Sequence, residues 1–310
     1  MACEYYKASA PGSFMISGEH AVLHGKLALV GAVDKTITVQ LIPRKDSQII
    51  IYSDQLGQFV TDLKSITVQP PLEYVLATVE YMHSQLTSGF EIYIDSQLSH
   101  LVGLSSSAAV TVATLATVVE FCQLNYSRVD YFKAAKSIIQ KVQGNGSGAD
   151  IAAAVYGGVL AFTADPVSIV SIVTKHVPWS LIYTGYKTPT PQVIRLIDQA
   201  KSQYPEYYSS LFTAIDTASQ MIKKGLIAQD YQLVGEWFNR HAAIQSAMLL
   251  ACDKIQEILY QCYQSSKVYG AKISGSGLGD CVLALGDLTD LCFTHQIPIT
   301  IHSKGLVIHE

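Results

Sequence analysis

The sequence predicts an α+β protein of two lobes, because three features of the chain indicate mixed rather than regularly alternating structure. The first third is rich in the patterns typical of half-buried strands. From residue 105 onward helical spacing dominates, and strands return only near the end of the chain. Asp165-Pro166 interrupts the pattern. We therefore predict a first lobe over residues 1–165 and a second lobe over residues 166–310.

The elements of the first lobe follow from the spacing of its apolar side chains. Residues 36–42 alternate apolar side chains such as Ile37 and Val39 with polar ones, as a strand with one buried face does. Helical spacing indicates a helix over 74–85, and small apolar residues on every side indicate a buried helix over 106–122. The other predicted elements here are strands at 27–33, 48–52, 90–94 and 159–163 and helices at 129–142 and 149–156.

The second lobe is predicted to carry its helices in the middle and its strands at both ends. Apolar residues at helical spacing fill most of the stretch between residues 191 and 265. The predicted helices are 191–203, 207–224, 230–251 and 253–265. The predicted strands are 169–173, 181–184, 271–274, 280–285 and 299–303.

Composition excludes several classes of protein. The 310 residues are 49% hydrophobic and 15% charged, which excludes a disordered chain. The formal net charge of −4 leaves no basic excess for non-specific binding to nucleic acid. An anionic substrate would therefore need a local site that attracts it.

Cysteine usage and hydropathy predict a cytoplasmic protein. The six cysteines form no CxxC pair, so neither a disulfide framework nor a structural zinc site is expected. The start of the chain lacks the pattern of a signal peptide. The longest apolar run, 108–119, is much shorter than the ~20 residues that cross a bilayer. We expect no membrane and no nucleic-acid partner, and a homodimer is left open.

Three segments rich in glycine and serine lie between apolar elements, at 10–25, 103–109 and 270–281. In the second segment, a glycine followed by serines at a helix start offers unpaired backbone N–H groups and the positive end of the helix dipole, which suits phosphate. The alternative is that the serines only cap a buried helix. The candidate ligand-binding residues here are Gly103, Leu104, Ser105, Ser106, Ser107 and Ala108.

The third segment and the acid before it extend this hypothesis. Gly275, Ser276 and Gly277 form either a tight turn or a second phosphate loop, and two such loops favour a polyphosphate ligand. Asp150 follows a glycine-rich loop and opens a helix of small residues. It is either a helix N-terminal charge or a base beside the phosphate site.

These segments, in this order and with Asp150 between the second and the third, resemble the signatures of the GHMP kinases (galactokinase, homoserine kinase, mevalonate kinase and phosphomevalonate kinase). The resemblance implies a ribosomal-protein-S5-like first lobe and a ferredoxin-like second lobe. It also implies ATP and Mg²⁺ as cofactors, with the second segment around the ATP phosphates and Ser107 on the metal. Asp150 matches the family's catalytic aspartate.

Within the family the sequence combines two patterns. Residues 18–25 (GEHAVLHG) are similar to mevalonate kinases, which implies that Glu19 and His20 lie near the substrate. The stretch around Ser147 and the tripeptide 279–281 are more like phosphomevalonate kinases. Thr184 is either a further substrate contact or a turn residue at a strand end. We expect phosphorylation of mevalonate, with 5-phosphomevalonate as the alternative, because few arginines are available for a second phosphate.

The sequence departs from the family pattern at two positions. Ser13 stands where most relatives carry a lysine that takes part in phosphoryl transfer, and Ile139 stands where mevalonate kinases carry a Mg²⁺-binding glutamate. Lys26, Lys187 or Lys272 could supply the missing charge, and Lys272 is favoured because it precedes the glycine loop of the third segment. A degenerate member that binds a nucleotide or a metabolite as a regulator is the alternative from a different functional class.

Overall fold

Two β-sheets with helices packed on them organise the computed structural model, which describes residues 5–98, 103–174 and 177–309. The strands are β1 (Tyr6–Ser17), β2 (Ala28–Pro43), β3 (Gln48–Ser53), β4 (Gly57–Asp62), β5 (Phe90–Ser96), β6 (Val159–Ala164), β7 (Val167–Ile172), β8 (Trp179–Tyr183), β9 (Val268–Ser274), β10 (Cys281–Gly286), β11 (Gln296–Ile299) and β12 (Val307–His309). The helices are α1 (Glu73–Tyr81), α2 (Ser106–Phe121), α3 (Arg128–Gln143), α4 (Ala149–Tyr156), α5 (Thr190–Gln203), α6 (Pro205–Ala228), α7 (Tyr231–Ala247) and α8 (Asp253–Gln264). The predicted α+β class is confirmed.

The first sheet has the strand order β12-β1-β2-β5-β3-β4, and β6 pairs with β2 beside this path. Its pairs are antiparallel except for β3 and β5, which run parallel. Helix α2 packs on β1 and β2, and α4 packs on β1. Most of α2 is buried, as its small side chains predicted, and this packing fixes the start of the helix against the sheet.

Strand β1 contains the first half of the first glycine- and serine-rich segment, which the sequence did not predict to be a strand. Most of its residues are buried on both faces, so it lacks the alternation that marks a half-buried strand. A Cβ atom at Gly12 would lie 2.5 Å from the carbonyl oxygen of Leu104. The N–H of Ser13 donates to the same oxygen at 3.0 Å. The small residues of β1 therefore let the strand approach the second segment closely.

Strand β2 is continuous where two strands, 27–33 and 36–42, were predicted. Asp34 and Lys35 are exposed, and they interrupted the apolar pattern on which the prediction relied. The pairing of β2 with β1 shifts register at this point, which is a bulge in the ladder. A bulge lets a strand carry exposed residues without ending.

The second sheet has the order β11-β8-β10-β9, and all of its pairs are antiparallel. Helices α7 and α8 pack against β9. Strand β7 pairs with β6 in the first sheet, so the chain crosses to the second sheet between β7 and β8. The last strand, β12, returns to pair with β1. The division into lobes at 1–165 and 166–310 stays a prediction, and by sheet membership the crossing lies a few residues later.

Candidate active site

A cavity of about 440 Å³ opens where the three glycine- and serine-rich segments meet the loop before α4 and the loop after β8. Ten of the predicted site residues line this cavity. They are Glu19, His20, Gly103, Ser105, Ser106, Ser107, Ser147, Asp150, Gly275 and Ser276. Segments that are far apart in the sequence thus contribute to one site.

Four predicted site residues do not line the cavity. Leu104 and Ala108 are buried in the hydrophobic core beneath it. Gly277 packs closely against Leu250. A Cβ atom added at Gly277 would lie 2.8 Å from the Cβ atom of Leu250. The hydroxyl of Thr184 donates to the carbonyl oxygen of Tyr186 at 2.9 Å, so in this structure it stabilises the loop after β8.

The second segment forms the start of α2. Ser105 has a left-handed backbone conformation (φ 54°), and its side chain makes no capping hydrogen bond to the helix. The segment before α2 is tied to the third segment, because the N–H of Gly103 donates to Asp280 Oδ1 at 2.9 Å. A Cβ atom at Gly103 would collide with this carboxylate. Glycine is therefore required here for the close approach of the two segments.

Asp150 lies in the first turn of α4, which follows Gly148 in a left-handed conformation (φ 87°). Its Oδ1 accepts a hydrogen bond from the N–H of Ile151 at 2.9 Å. Burial raises the pKa of the Asp150 carboxyl group, and hydrogen bonds from backbone N–H groups oppose this shift only in part. A carboxylate with a raised pKa is suited to accept a proton from a bound hydroxyl group.

Glu19 lies in a buried network beside the cavity. Its Oε1 is 2.5 Å from Lys272 Nζ, and its Oε2 is 3.6 Å from His241 Nε2. Burial raises the pKa of Glu19, and the positive charge of Lys272 opposes this shift. Burial also lowers the pKa of Lys272. Lys272 was favoured as the source of positive charge, but it is fully buried and does not line the cavity.

His20 and Ser276 join the first segment to the third. The ring nitrogen Nε2 of His20 donates to the carbonyl oxygen of Ser276 at 2.8 Å. Burial lowers the pKa of His20, so the neutral ring with a hydrogen on Nε2 is favoured. Within the described part of the chain, the buried hydroxyl oxygen of Ser276 has no hydrogen-bond partner, and Ser276 lines the cavity.

The cavity wall also contains residues that were not selected from the sequence, and one lysine that was named but not favoured. Tyr74 and Gln143 line the cavity, and Gln143 Nε2 donates to the Tyr74 hydroxyl oxygen at 2.6 Å. Tyr74 stands at the start of a helix with no motif around it, so no local signal marks it. Lys187 also lines the cavity, where Lys272 was favoured as the source of positive charge.

Comparison with known proteins gives two family matches. The family described as GHMP kinases N terminal domain matches residues 73–158, and the family described as GHMP kinases C terminal matches residues 222–291. The chain belongs to the GHMP kinase family. It is therefore a small-molecule kinase, and the family implies the use of ATP.

Mevalonate kinases are among its curated relatives. The mevalonate kinase of Pyrococcus abyssi is 28% identical over 299 residues, which cover 90% of this chain and 88% of that protein. The mevalonate kinase of Aeropyrum pernix is 28% identical over 287 residues, with the same coverage of both chains.

Solved structures share the two-lobed fold. The mevalonate kinase of Methanococcus jannaschii superposes with a TM-score of 0.82 at 20% identity and covers 97% of this chain and 100% of that one. No helix in residues 5–98, 103–174 or 177–309 has both the length and the apolar character that a membrane crossing requires.

Proposed function

We propose that this kinase transfers the γ-phosphoryl group of ATP to the hydroxyl group of mevalonate. The charge of the cavity wall is the observation that supports this choice of substrate. Three acidic residues line the cavity, Glu19, Asp150 and Asp280, whereas Lys187 is the single Lys or Arg among the described lining residues. A substrate that already carries a phosphate brings close to two further negative charges. This wall suits the substrate without a phosphate better, in agreement with the mevalonate kinases among the relatives.

In the proposed mechanism, backbone N–H groups at the start of α2 and in the third segment hold the ATP phosphates. Asp150 accepts the proton of the substrate hydroxyl group while the oxygen of that group bonds to the γ-phosphorus. The bond from the γ-phosphorus to the bridging oxygen breaks, and its electron pair leaves with ADP. Positioning and neutralisation of charge supply most of the rate enhancement of such a transfer.

The oxygen donors of the cavity fit a Mg²⁺ ion that enters with ATP. Mg²⁺ in kinases binds substrate phosphates, waters and only one or two protein oxygens. Ser107 and Asp150 place such oxygen-bearing side chains on the cavity wall, whereas Ile139 is buried in the core and offers none. We assign the hydroxyl group of Ser107 to the metal. When bound, the ion neutralises charge on the β- and γ-phosphates.

One observation favours the phosphorylated substrate instead. Asn145 and Ser147 come from the stretch that is more like phosphomevalonate kinases, and both line the cavity. The phosphomevalonate kinase of Streptococcus pneumoniae, in complex with phosphomevalonate and AMPPNP, superposes with a TM-score of 0.77 at 19% identity, covering 94% of this chain and 99% of that one. At that identity the likeness concerns the fold alone. We keep 5-phosphomevalonate as the second candidate.

ADP formation over a panel of alcohols tests the proposal. The purified protein with MgATP is offered mevalonate, 5-phosphomevalonate, galactose and homoserine in separate reactions. We expect turnover with mevalonate well above that with the other three. No ADP formation with any of them, combined with tight binding of ATP, would favour the regulator over the kinase.

A further inference from the structure

The acidic side chains of the cavity wall do not account for neutralisation of the transferred phosphoryl group. Phosphoryl transfer places several negative charges in one small volume, and enzymes neutralise them with cations and N–H donors. The charge of Glu19 is compensated by Lys272, but Asp150 takes part in no ion pair among the described residues. The site therefore needs a cation of its own besides any metal.

Lys187 is placed at the meeting point of the two proposed phosphate loops. Its Nζ is 3.4 Å from Asp280 Oδ2, and Asp280 Oδ1 accepts the N–H of Gly103 from the second segment. A Cβ atom at Gly275, in the third segment, would lie 3.3 Å from Asp280 Oδ2. The carboxylate of Asp280 thus lies against both loops, and the ammonium group lies beside it.

Backbone hydrogen bonds fix the loop that carries Lys187. The N–H of Asp280 donates to the carbonyl oxygen of Tyr186 at 2.8 Å, and the N–H of Thr184 donates to the carbonyl oxygen of Asp280 at 2.9 Å. These two bonds hold the residues directly before Lys187 against the third segment. The lysine is therefore positioned from its backbone as well as from its ion pair.

The other candidates for this charge are placed elsewhere. Lys272 is fully buried against Glu19, and Lys26 does not line the cavity. Ser13 is uncharged, and its buried hydroxyl oxygen has no hydrogen-bond partner in residues 5–98, 103–174 and 177–309. Lys187 has a side chain that is 37% exposed, so its ammonium group can reach a ligand without leaving a buried site.

We infer that Lys187 is the cation that meets the γ-phosphate, and that Asp280 is the residue that positions it. The ammonium group has three N–H donors, and the loose contact with Asp280 leaves donors for phosphate oxygens. The ammonium group of Lys187 stabilises the charge that spreads over the γ-phosphate oxygens as the bond to ADP breaks. This inference rests on the proposed transfer from ATP but not on the identity of the alcohol.

Nucleotide binding distinguishes a contact between Lys187 and the γ-phosphate from other roles of this lysine. Lys187→Met removes the charge with little change of size, Lys187→Arg keeps the charge, and Lys224→Met removes an exposed lysine of α6 outside the cavity. For Lys187→Met we expect the dissociation constant of AMPPNP to rise by roughly tenfold or more, while that of ADP changes by less than about twofold. Lys224→Met should bind both nucleotides as the wild type does.

Turnover should follow the same pattern. Loss of one donor to a transition-state oxyanion lowers kcat by roughly 10²- to 10³-fold, and we expect a loss of this size for Lys187→Met, with partial recovery in Lys187→Arg. Equal weakening of ADP and AMPPNP, a rise only in the KM of the alcohol, or normal kcat would each overturn the inference. The AMPPNP test stands even if mevalonate proves to be the wrong substrate.

The positioning role of Asp280 is tested by a double-mutant cycle. Asp280→Asn keeps an acceptor for the N–H of Gly103 but removes the charge that holds Lys187. If Asp280 acts through Lys187, the loss of kcat in the double variant Lys187→Met, Asp280→Asn equals that of Lys187→Met alone. If the loss of kcat in the double variant equals the product of the losses in the two single variants, Asp280 has a separate structural role and the positioning claim is overturned.

Discussion

At the scale of single residues, Asp150 carries the proposed proton transfer. It lies in the first turn of α4. Asp150→Asn hardly changes the size of this side chain, so the variant should keep the fold. We expect kcat to fall by roughly 10²-fold or more, the usual effect of a positioned base, with the affinity for ATP retained. Steady-state kinetics and nucleotide titration measure the two quantities. Normal turnover by Asp150→Asn would remove Asp150 from the mechanism.

The pH dependence of kcat/KM tests the role of Asp150 independently. The base acts in its deprotonated form, and burial raises its pKa, so kcat/KM should fall on the acidic side at a higher pH than an exposed aspartate would cause. This acidic limb should be absent from the residual activity of Asp150→Asn. An identical limb in both proteins would assign it to another group.

At the scale of elements, the start of α2 depends on its approach to the third segment. A methyl group at Gly103 would collide with the Asp280 carboxylate, so Gly103→Ala should displace the loop before α2. We expect the dissociation constant of ATP to rise by roughly tenfold or more, because displaced N–H groups no longer converge on the phosphates. Nucleotide titration measures this effect, and chemical denaturation shows whether the fold is retained. Unchanged ATP affinity in a folded variant would exclude this loop from the phosphate site.

The sequence predicted two buried helices closely, because runs of small apolar residues mark them. Helix α4 has the predicted bounds, and α2 differs from its prediction by one residue at its end. Strand β1 was missed because it is buried on both faces, and β12 was missed because three residues are too few to show a pattern. Such strands are defined by their neighbours, which only the folded chain brings together.

The candidate site was predictable to the extent that motifs mark it. The serines at the start of α2, Asp150 and the third segment were selected from local sequence, and the structure brings them to one cavity. Lys187 could not be preferred over Lys272, because the difference between them is burial in the tertiary structure. Each lysine stands near a glycine in the sequence, but only one reaches the cavity wall.

At the scale of the whole molecule, a buried ion pair links the two sheets. Glu19 follows β1 in the first sheet, and Lys272 belongs to β9 in the second. Lys272→Met leaves Glu19 buried without its partner, and we expect the free energy of unfolding to fall by about 3–5 kcal/mol. Urea denaturation measures this loss.

An exposed pair and a double variant serve as controls for that loss. Lys254→Met breaks the exposed pair with Glu257 and should cost less than about 1 kcal/mol. The double variant Glu19→Gln, Lys272→Met should recover part of the stability that Lys272→Met loses, because no uncompensated charge stays buried. A Lys272→Met protein as stable as Lys254→Met would show that the pair does not stabilise the contact between the sheets.

The ratio of kcat/KM for mevalonate to kcat/KM for 5-phosphomevalonate, under identical MgATP, tests the proposed substrate most directly. Among the residues that the structure describes, the cavity wall carries one lysine against three acids, and that lysine is already beside Asp280. Little positive charge is left for a second phosphate, so we predict a ratio above 1. A ratio that favours 5-phosphomevalonate by about tenfold or more, equivalent to about 1.4 kcal/mol, would contradict the assignment of mevalonate while leaving the chain a GHMP kinase.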